Sequence, residues 1–402
     1  MPNPTLAIYV HVPFCASKCV YCDFTVSLAK HQPDADEGFL TYQAALFAEL
    51  EARLAPIAHR YSAIHSVYVG GGTPSLMPAQ WFEALLNQLQ QYLPFTASVE
   101  LTFEANPNAV RDRPKDYRLA GMNRVSIGVQ SFHDFELKAL SRNHTAGEAL
   151  ATVSAFQQAG FSRVSLDLMY GIPQQTQMSW QQSLQQAVAT GIGHISLYGL
   201  QVEAGTPLER LISSPSPRYQ LPSEDLVADA YAWAQAFLAQ HGMPLYEISN
   251  AARPGEASSH NLTYWRWGDW LAVGPGAHSK LTVLERQSDR GAYYLHNAES
   301  TALWLADPLQ GTTLEVTAAE ALENRFIFGL RTREGVDYGL LAEEWGVALP
   351  VFHQALQPLL NRFAGVLQQH GTVLTLNPQY WAVSNAVLHE WVGWGPTVLG
   401  SK

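Results

Sequence analysis

Residues 6–24 read LAIYVHVPFCASKCVYCDF, an apolar run that breaks at Pro13 into a segment holding Cys15, Cys19 and Cys22. The run Leu6–His11 has the length and β-branched content of a short buried strand, and the proline after it predicts a loop. Cys-x3-Cys-x2-Cys brings three thiols into eight residues of that loop. Three thiolates so spaced can wrap one corner of a cubane and ligate three of the four irons of a [4Fe–4S] cluster. The fourth iron is left without a protein ligand and can chelate the amino and carboxylate groups of S-adenosylmethionine (SAM). One electron delivered to the neighbouring sulfonium then gives methionine and a 5′-deoxyadenosyl radical, while the protein holds the geometry and excludes water and oxygen. The alternative is a Cys3His zinc site with His11 or His31 as fourth ligand. Zinc cysteines usually come as CxxC pairs, and the chain's three cysteines leave no second pair. Phe14, Tyr21 and Phe24 flank the trio, as suits a buried cluster.

Outward from this loop, strand-like and helical runs alternate. Ile64–Val69, Val99–Glu104, Arg124–Gly128, Arg163–Met169 and His194–Leu200 read as five further short strands. Gly38–Ala55 and Pro78–Leu93 carry apolar residues at helical spacing. Thr145 with Glu148 fits a capping box, and Gly160 stands where that helix should stop. Six β-then-α units predict a parallel sheet with right-handed crossovers, and the pattern alone leaves an open sheet and a curved partial barrel as alternatives. Ser213–Pro222 (SSPSPRYQLP) reads as a linker or barrel edge, followed by a helix at Ser223–His241. Helices near Ala318–Leu330, Gly339–Trp345 and Pro350–Ala364, a hairpin within Val366–Leu376 and a last helix to about Trp391 are arranged like a winged helix. The expected division is a core at 1–215, a connector at 216–305 and a helical C-terminal domain at 306–402.

Composition limits the partners. The 402 residues are 47% hydrophobic and 15% charged, with 24 Lys+Arg against 35 Asp+Glu and a net charge of −11. Such a surface repels phosphate backbones, so no nucleic-acid partner is expected. No 18-residue uncharged apolar run and no basic leader are present, which predicts a cytoplasmic protein with at most a peripheral membrane contact.

The cysteine loop matches the radical SAM superfamily, and IYVHVPFCASKCVYCDF resembles one branch of it, the anaerobic coproporphyrinogen III oxidase-like family. VYVGGGTPS (67–75), TFEANP (102–107), NRVSIGVQSF (123–132), LSRNH (140–144) and SLDLMYGIP (165–173) agree with the same family. The resemblance implies an α/β fold, a partial (β/α)6 barrel with a smaller, mainly helical C-terminal domain. It also implies SAM contacts at Tyr9, Tyr21, Gly71, Gly72, Thr73, Glu104, Gln130, Arg142 and Asp167. Glu104 and Asp167 are acids on apolar strands, and a buried charge needs a partner such as a sulfonium or ribose hydroxyls. Gln130 and Arg142 serve equally as structural hydrogen-bonders.

Two departures set the chain apart from the oxidases. Their further cysteine, two residues after the third, is Phe24 here, and the segment ahead of Cys15 is shorter. Both features resemble the HemW-type haem chaperones. His260-Asn261-Leu262-Thr263-Tyr264-Trp265 matches the HNxxYW stretch that this branch associates with haem, implying haem contacts at His260, Asn261, Tyr264 and Trp265. An imidazole can ligate haem iron and aromatic rings can pack on the macrocycle. The structural alternative is that His260 and Asn261 pin a loop while Tyr264 and Trp265 fill core. The expectation is therefore a protein with a [4Fe–4S] cluster, SAM and haem, supplied by a low-potential electron donor and passing haem to acceptor haemoproteins. No catalytic residue is assigned. The alternative activity is oxygen-independent coproporphyrinogen III oxidation. The second Gly-rich loop, Gly274–Ser279, receives no role.

Overall fold

The computed structural model describes residues 4–28, 35–213, 216–283 and 290–400. His31 and residues 214–215 of the expected linker lie outside them. Six strands pair side by side in parallel: β1 (Thr5–Val12), β2 (Ala63–Gly71), β3 (Phe95–Ala105), β4 (Arg124–Gln130), β5 (Arg163–Tyr170) and β6 (His194–Gly199). Parallel neighbours require crossovers. These carry α1 (Ala35–Leu54), α2 (Ala79–Gln90), α3 (Ala146–Gln158) and α4 (Gln177–Ala189). The expected capping box starts α3, where Thr145 accepts from the Glu148 N–H and the Glu148 carboxylate accepts from the Thr145 N–H.

Alternation along the strands decides which way they face. Ile8, Val10 and Val12 of β1, Val67 and Val69 of β2, Leu101 and Phe103 of β3, and Leu166 and Leu168 of β5 join the helices in one core. Trp81, Phe82, Leu85 and Leu89 of α2 pack into it. The residues between are polar: Ser66, Glu100, Thr102, Glu104, Arg124, Ser126, Ser165, Asp167, His194 and Ser196. One face of the sheet is thus sealed by helices, and the other is polar.

The sheet continues well beyond the six strands. Among the described residues it has twelve, with β7 (Leu245–Glu247), β8 (Asn250–Ala252), β9 (Trp270–Val273), β10 (His278–Thr282), β11 (Arg290–Asn297) and β12 (Gly311–Thr317), in the order β12-β11-β10-β9-β1-β2-β3-β4-β5-β6-β8-β7. Strand β9 lies parallel to β1, and β10 to β12 follow antiparallel. The expected boundary at 305/306 therefore falls inside this sheet, because β12 is its edge strand. Only Val316 of β12 is buried, so the segment carries no alternation to announce it.

The C-terminal unit follows the expected order. Helices Ala318–Gly329, Tyr338–Trp345 and Leu349–Arg362 precede a hairpin of Leu367–His370 and Val373–Leu376, with Val336–Asp337 paired to its second strand. The single helix expected to end near Trp391 is instead three pieces: 3-10 turns at Pro378–Val383 and His389–Trp391 around a short helix at Ser384–Leu388. Trp381 and Trp391, both fully buried, anchor the two turns. Among the described residues no helix is long and apolar enough to cross a membrane.

Candidate functional site

Past Val12 the chain turns at Pro13 into a two-residue strand, Phe14–Cys15, which pairs with Ser27–Leu28 and closes the base of the cysteine loop. The loop is tied to its surroundings by Val20 N to Leu140 O at 3.4 Å and Leu208 N to Val20 O at 2.8 Å. Thr73 Oγ1 donates to Cys15 Sγ and Arg142 Nη1 donates to Cys19 Sγ, each at 3.5 Å. Burial pushes the Cys15 thiol up to about 11 and raises Cys22 as well. A bare thiolate is disfavoured there, so ionised sulfur calls for a metal to take its charge.

The glycine run is required by crowding. Gly71 has φ +107°, and a Cβ on it would meet the His11 ring at 2.6 Å. A Cβ on Gly72 would meet the Phe14 carbonyl oxygen at 2.6 Å and Cys15 Sγ at 3.0 Å. The end of β2 therefore lies directly against the cysteine loop.

A cavity of about 1070 Å³ opens at the C-terminal ends of the strands. Cys15, Cys19, Cys22, Tyr21, Gly71, Gly72, Thr73, Glu104, Gln130, Arg142 and Asp167 all line it. Glu104 accepts from Tyr68 Oη at 2.9 Å and from the Gly71 N–H at 3.1 Å. Burial, then the neighbouring Asp167, still push its carboxyl up to about 7. Asp167 accepts from Ser126 Oγ at 2.9 Å and is also raised by burial. Arg142 Nη2 donates to Asn106 Oδ1 at 3.0 Å and to the Gly128 carbonyl at 2.7 Å, while its buried Nε has no partner. Gln130 sits at φ +66°, a left-handed conformation costing a non-glycine residue about 1–2 kcal/mol. Such strain gathers where a side chain must be aimed.

These residues fit the SAM-bound cluster better than zinc. Two acids held toward neutrality can take a cation and ribose hydroxyls, and the orphaned guanidinium N–H can take a carboxylate. His11, the described candidate for a fourth zinc ligand, is engaged at both nitrogens, with Nε2 2.8 Å from the Thr25 carbonyl and Nδ1 3.2 Å from Tyr9 Oη.

The structure does not bring every expected residue to this cavity. Tyr9 lies in register with Tyr68, its ring stacked on that side chain, and lines a second cavity of about 750 Å³ instead. Of the four residues expected to touch haem, Tyr264 alone lines that second cavity. His260 is buried behind it, with Nδ1 3.0 Å from Ser66 Oγ and Nε2 2.7 Å from Tyr264 Oη. Burial lowers its pKa to about 3, so it is a neutral imidazole with both nitrogens engaged. The helix bearing it, Ser259–Trp265, is anchored on Glu100, which accepts from Ser258 Oγ and from the N–H groups of Ser259 and His260. Asn261 lines neither cavity, and Trp265 packs near Phe328 with Arg331 over its ring.

Sequence reasoning missed Asn106, which orients Arg142 from within the quoted TFEANP segment. It also missed Trp381–Asn385, which line the large cavity from a part of the chain carrying no local signal of it.

The Radical SAM superfamily model matches residues 9–187. The chain is 38% identical over 286 residues to the haem chaperone HemW of Haemophilus influenzae, covering 70% of this chain and 72% of that protein. It is 31% identical over 390 residues to HemW of Bacillus subtilis, covering 96% and 98% respectively. The chain belongs to the HemW branch of the radical SAM superfamily. Its fold is that of Escherichia coli coproporphyrinogen III oxidase HemN, with a TM-score of 0.77 at 20% identity, covering 97% of this chain and 91% of that one. Membership of the superfamily implies a [4Fe–4S] cluster and SAM. In this HemW-type chain the cysteine loop, the glycine run and the strand-end acids meet at one cavity, as such cofactors need.

Proposed function

We propose that this protein is a haem chaperone: it carries a [4Fe–4S] cluster and SAM, binds haem and hands it to acceptor haemoproteins. Reduction of that cluster would call for a low-potential electron donor. The observation that carries the reading is the pairing of two cavities across one loop. Asp23 and Phe24, directly after the last cysteine, line both the large cavity and the aromatic-walled second one, whose wall includes Tyr264 of the HNxxYW stretch. Phe24 occupies the place of the oxidases' additional cysteine and is 58% exposed, an apolar ring offered to a ligand.

Cys15, Cys19 and Cys22 hold the cluster, with Thr73 and Arg142 hydrogen-bonding two of the sulfurs. The Gly71–Gly72 backbone would hold the SAM amino group, and Tyr21 and Gln130 line the same cavity. Glu104 and Asp167 would take the sulfonium charge and ribose hydroxyls, and Arg142 Nε would take the carboxylate. The cluster and SAM together supply one-electron chemistry. The chain's own part is to exclude water from the cavity and keep the acids poised to lose their protons.

Haem titration of the anaerobically reconstituted protein tests this reading. A saturable Soret band, with no sustained conversion of coproporphyrinogen to protoporphyrinogen under reductant and SAM, is expected. SAM binding without any haem band, or sustained protoporphyrinogen formation, would overturn it.

A further inference from the structure

His278 on β10 and His296 on β11 face each other directly across the antiparallel pair. Their rings lie parallel within 6°, with centroids 4.0 Å apart. Among the described residues neither imidazole has a hydrogen-bond partner, whereas His11 and His260 nearby are each engaged at both nitrogens. Both unpartnered rings line the second cavity, whose walls include the aromatic side chains of Phe24, Tyr264, Trp270, Tyr294 and Phe328. Its 750 Å³ falls in the roughly 300–1,000 Å³ range of cofactor sites.

We infer that this cavity seats the haem, with His278 as the iron ligand and His296 as the ring that positions it. The inference rests on the haem-chaperone reading above and moves the iron ligand away from His260. His260 can reach iron only by breaking its bonds to Ser66 and Tyr264 and opening the polar interior. His278 is exposed and needs no rearrangement to present a nitrogen lone pair.

The apolar surface agrees. Phe24 and Leu314 are 58% and 59% exposed and both line the same cavity, so a macrocycle would cover two side chains now left in water. Among the described residues no lysine or arginine lines the cavity, and its mouth opens to solvent, so the propionates remain hydrated.

The test is anaerobic titration of ferric haem into the cluster-loaded full chain, read by absorption and EPR. Wild type, His278→Ala, His278→Tyr, His296→Ala, His296→Phe and His260→Ala are compared, with circular dichroism reporting folding. His278→Ala is expected to lose the histidine-ligated spectrum and regain it with added imidazole. His278→Tyr should show the charge-transfer band of a phenolate ligand, which a merely structural residue cannot produce. His296→Ala should weaken binding by about tenfold or more, with His296→Phe restoring it through the stacked ring. His260→Ala should keep the wild-type ligand field. Wild-type spectra in both His278 variants would overturn this inference while leaving the chaperone reading standing. Failure of the wild type itself to bind haem would overturn the reading it rests on.

Discussion

The carboxyl of Glu104 accepts two hydrogen bonds and is nevertheless pushed up to about 7 by burial and by Asp167. Below that pH the ligand-free protein holds a neutral acid, and a cationic ligand must first expel its proton. SAM affinity should therefore rise as pH climbs through about 7 and level off above it, and Glu104→Gln should remove the slope. Equilibrium SAM binding to cluster-loaded protein between about pH 6 and 8 measures this, and a flat wild-type profile would contradict it. Stability changes in the opposite sense: the folded state holds a proton that the unfolded chain loses near 4.5, so this group's contribution falls as pH rises from 4.5 to about 7. Gly72→Ala drives a Cβ into the Phe14 carbonyl and toward Cys15 Sγ. Iron and sulfide content should fall while the far-UV spectrum persists; full cluster content would show that the loop can yield. The thiol trio and the two acids were legible in the sequence because chemistry ties their types to spacing or to a surprising place on a strand. The left-handed Gln130 and the orphaned Arg142 Nε were not, since both are properties of three-dimensional crowding.

At the scale of elements, β10 is fastened to the turn before β9 by one buried lysine. Lys280 Nζ donates to Trp267 O at 2.8 Å, Gly268 O at 3.3 Å, Asp269 Oδ1 at 3.0 Å and Thr282 Oγ1 at 3.0 Å, and it lies 3.9 Å over the Trp267 ring. Lys280→Met leaves buried Asp269 with only the longer Arg60 pair at 4.0 Å and should cost about 3 kcal/mol in denaturant unfolding. A loss of under about 1 kcal/mol would mean that Arg60, Tyr61 and Thr282 satisfy the carboxylate without the lysine. The six parallel strands could be read from sequence because each must seal one face with aliphatic side chains. Strands β9 to β12 could not: β9 is four residues long, β12 buries one side chain, and β10 places a lysine and a serine where a pattern would want core. The fragmentation of the last helix was likewise invisible, because Trp381 and Trp391 obey tertiary anchors and not a helical period.

At the scale of the whole molecule, one loop separates two cavities, and the C-terminal unit completes the larger of them. Trp381–Asn385 form part of its wall, and Arg331 Nη2 donates to Asn385 Oδ1 at 2.9 Å. The two cavities share Phe24, so Phe24→Ala should weaken haem binding while leaving iron and sulfide content intact. Haem titration beside iron analysis of one preparation checks this, and unchanged haem affinity would contradict it. The cysteine trio underlies all these expectations. Its most direct test is EPR of the anaerobically reconstituted, dithionite-reduced protein with and without SAM, alongside metal and sulfide analysis. About four irons and four sulfides per chain are expected, with a reduced-cluster signal that shifts when SAM is added. Zinc in place of iron, or a cluster signal indifferent to SAM, would contradict it.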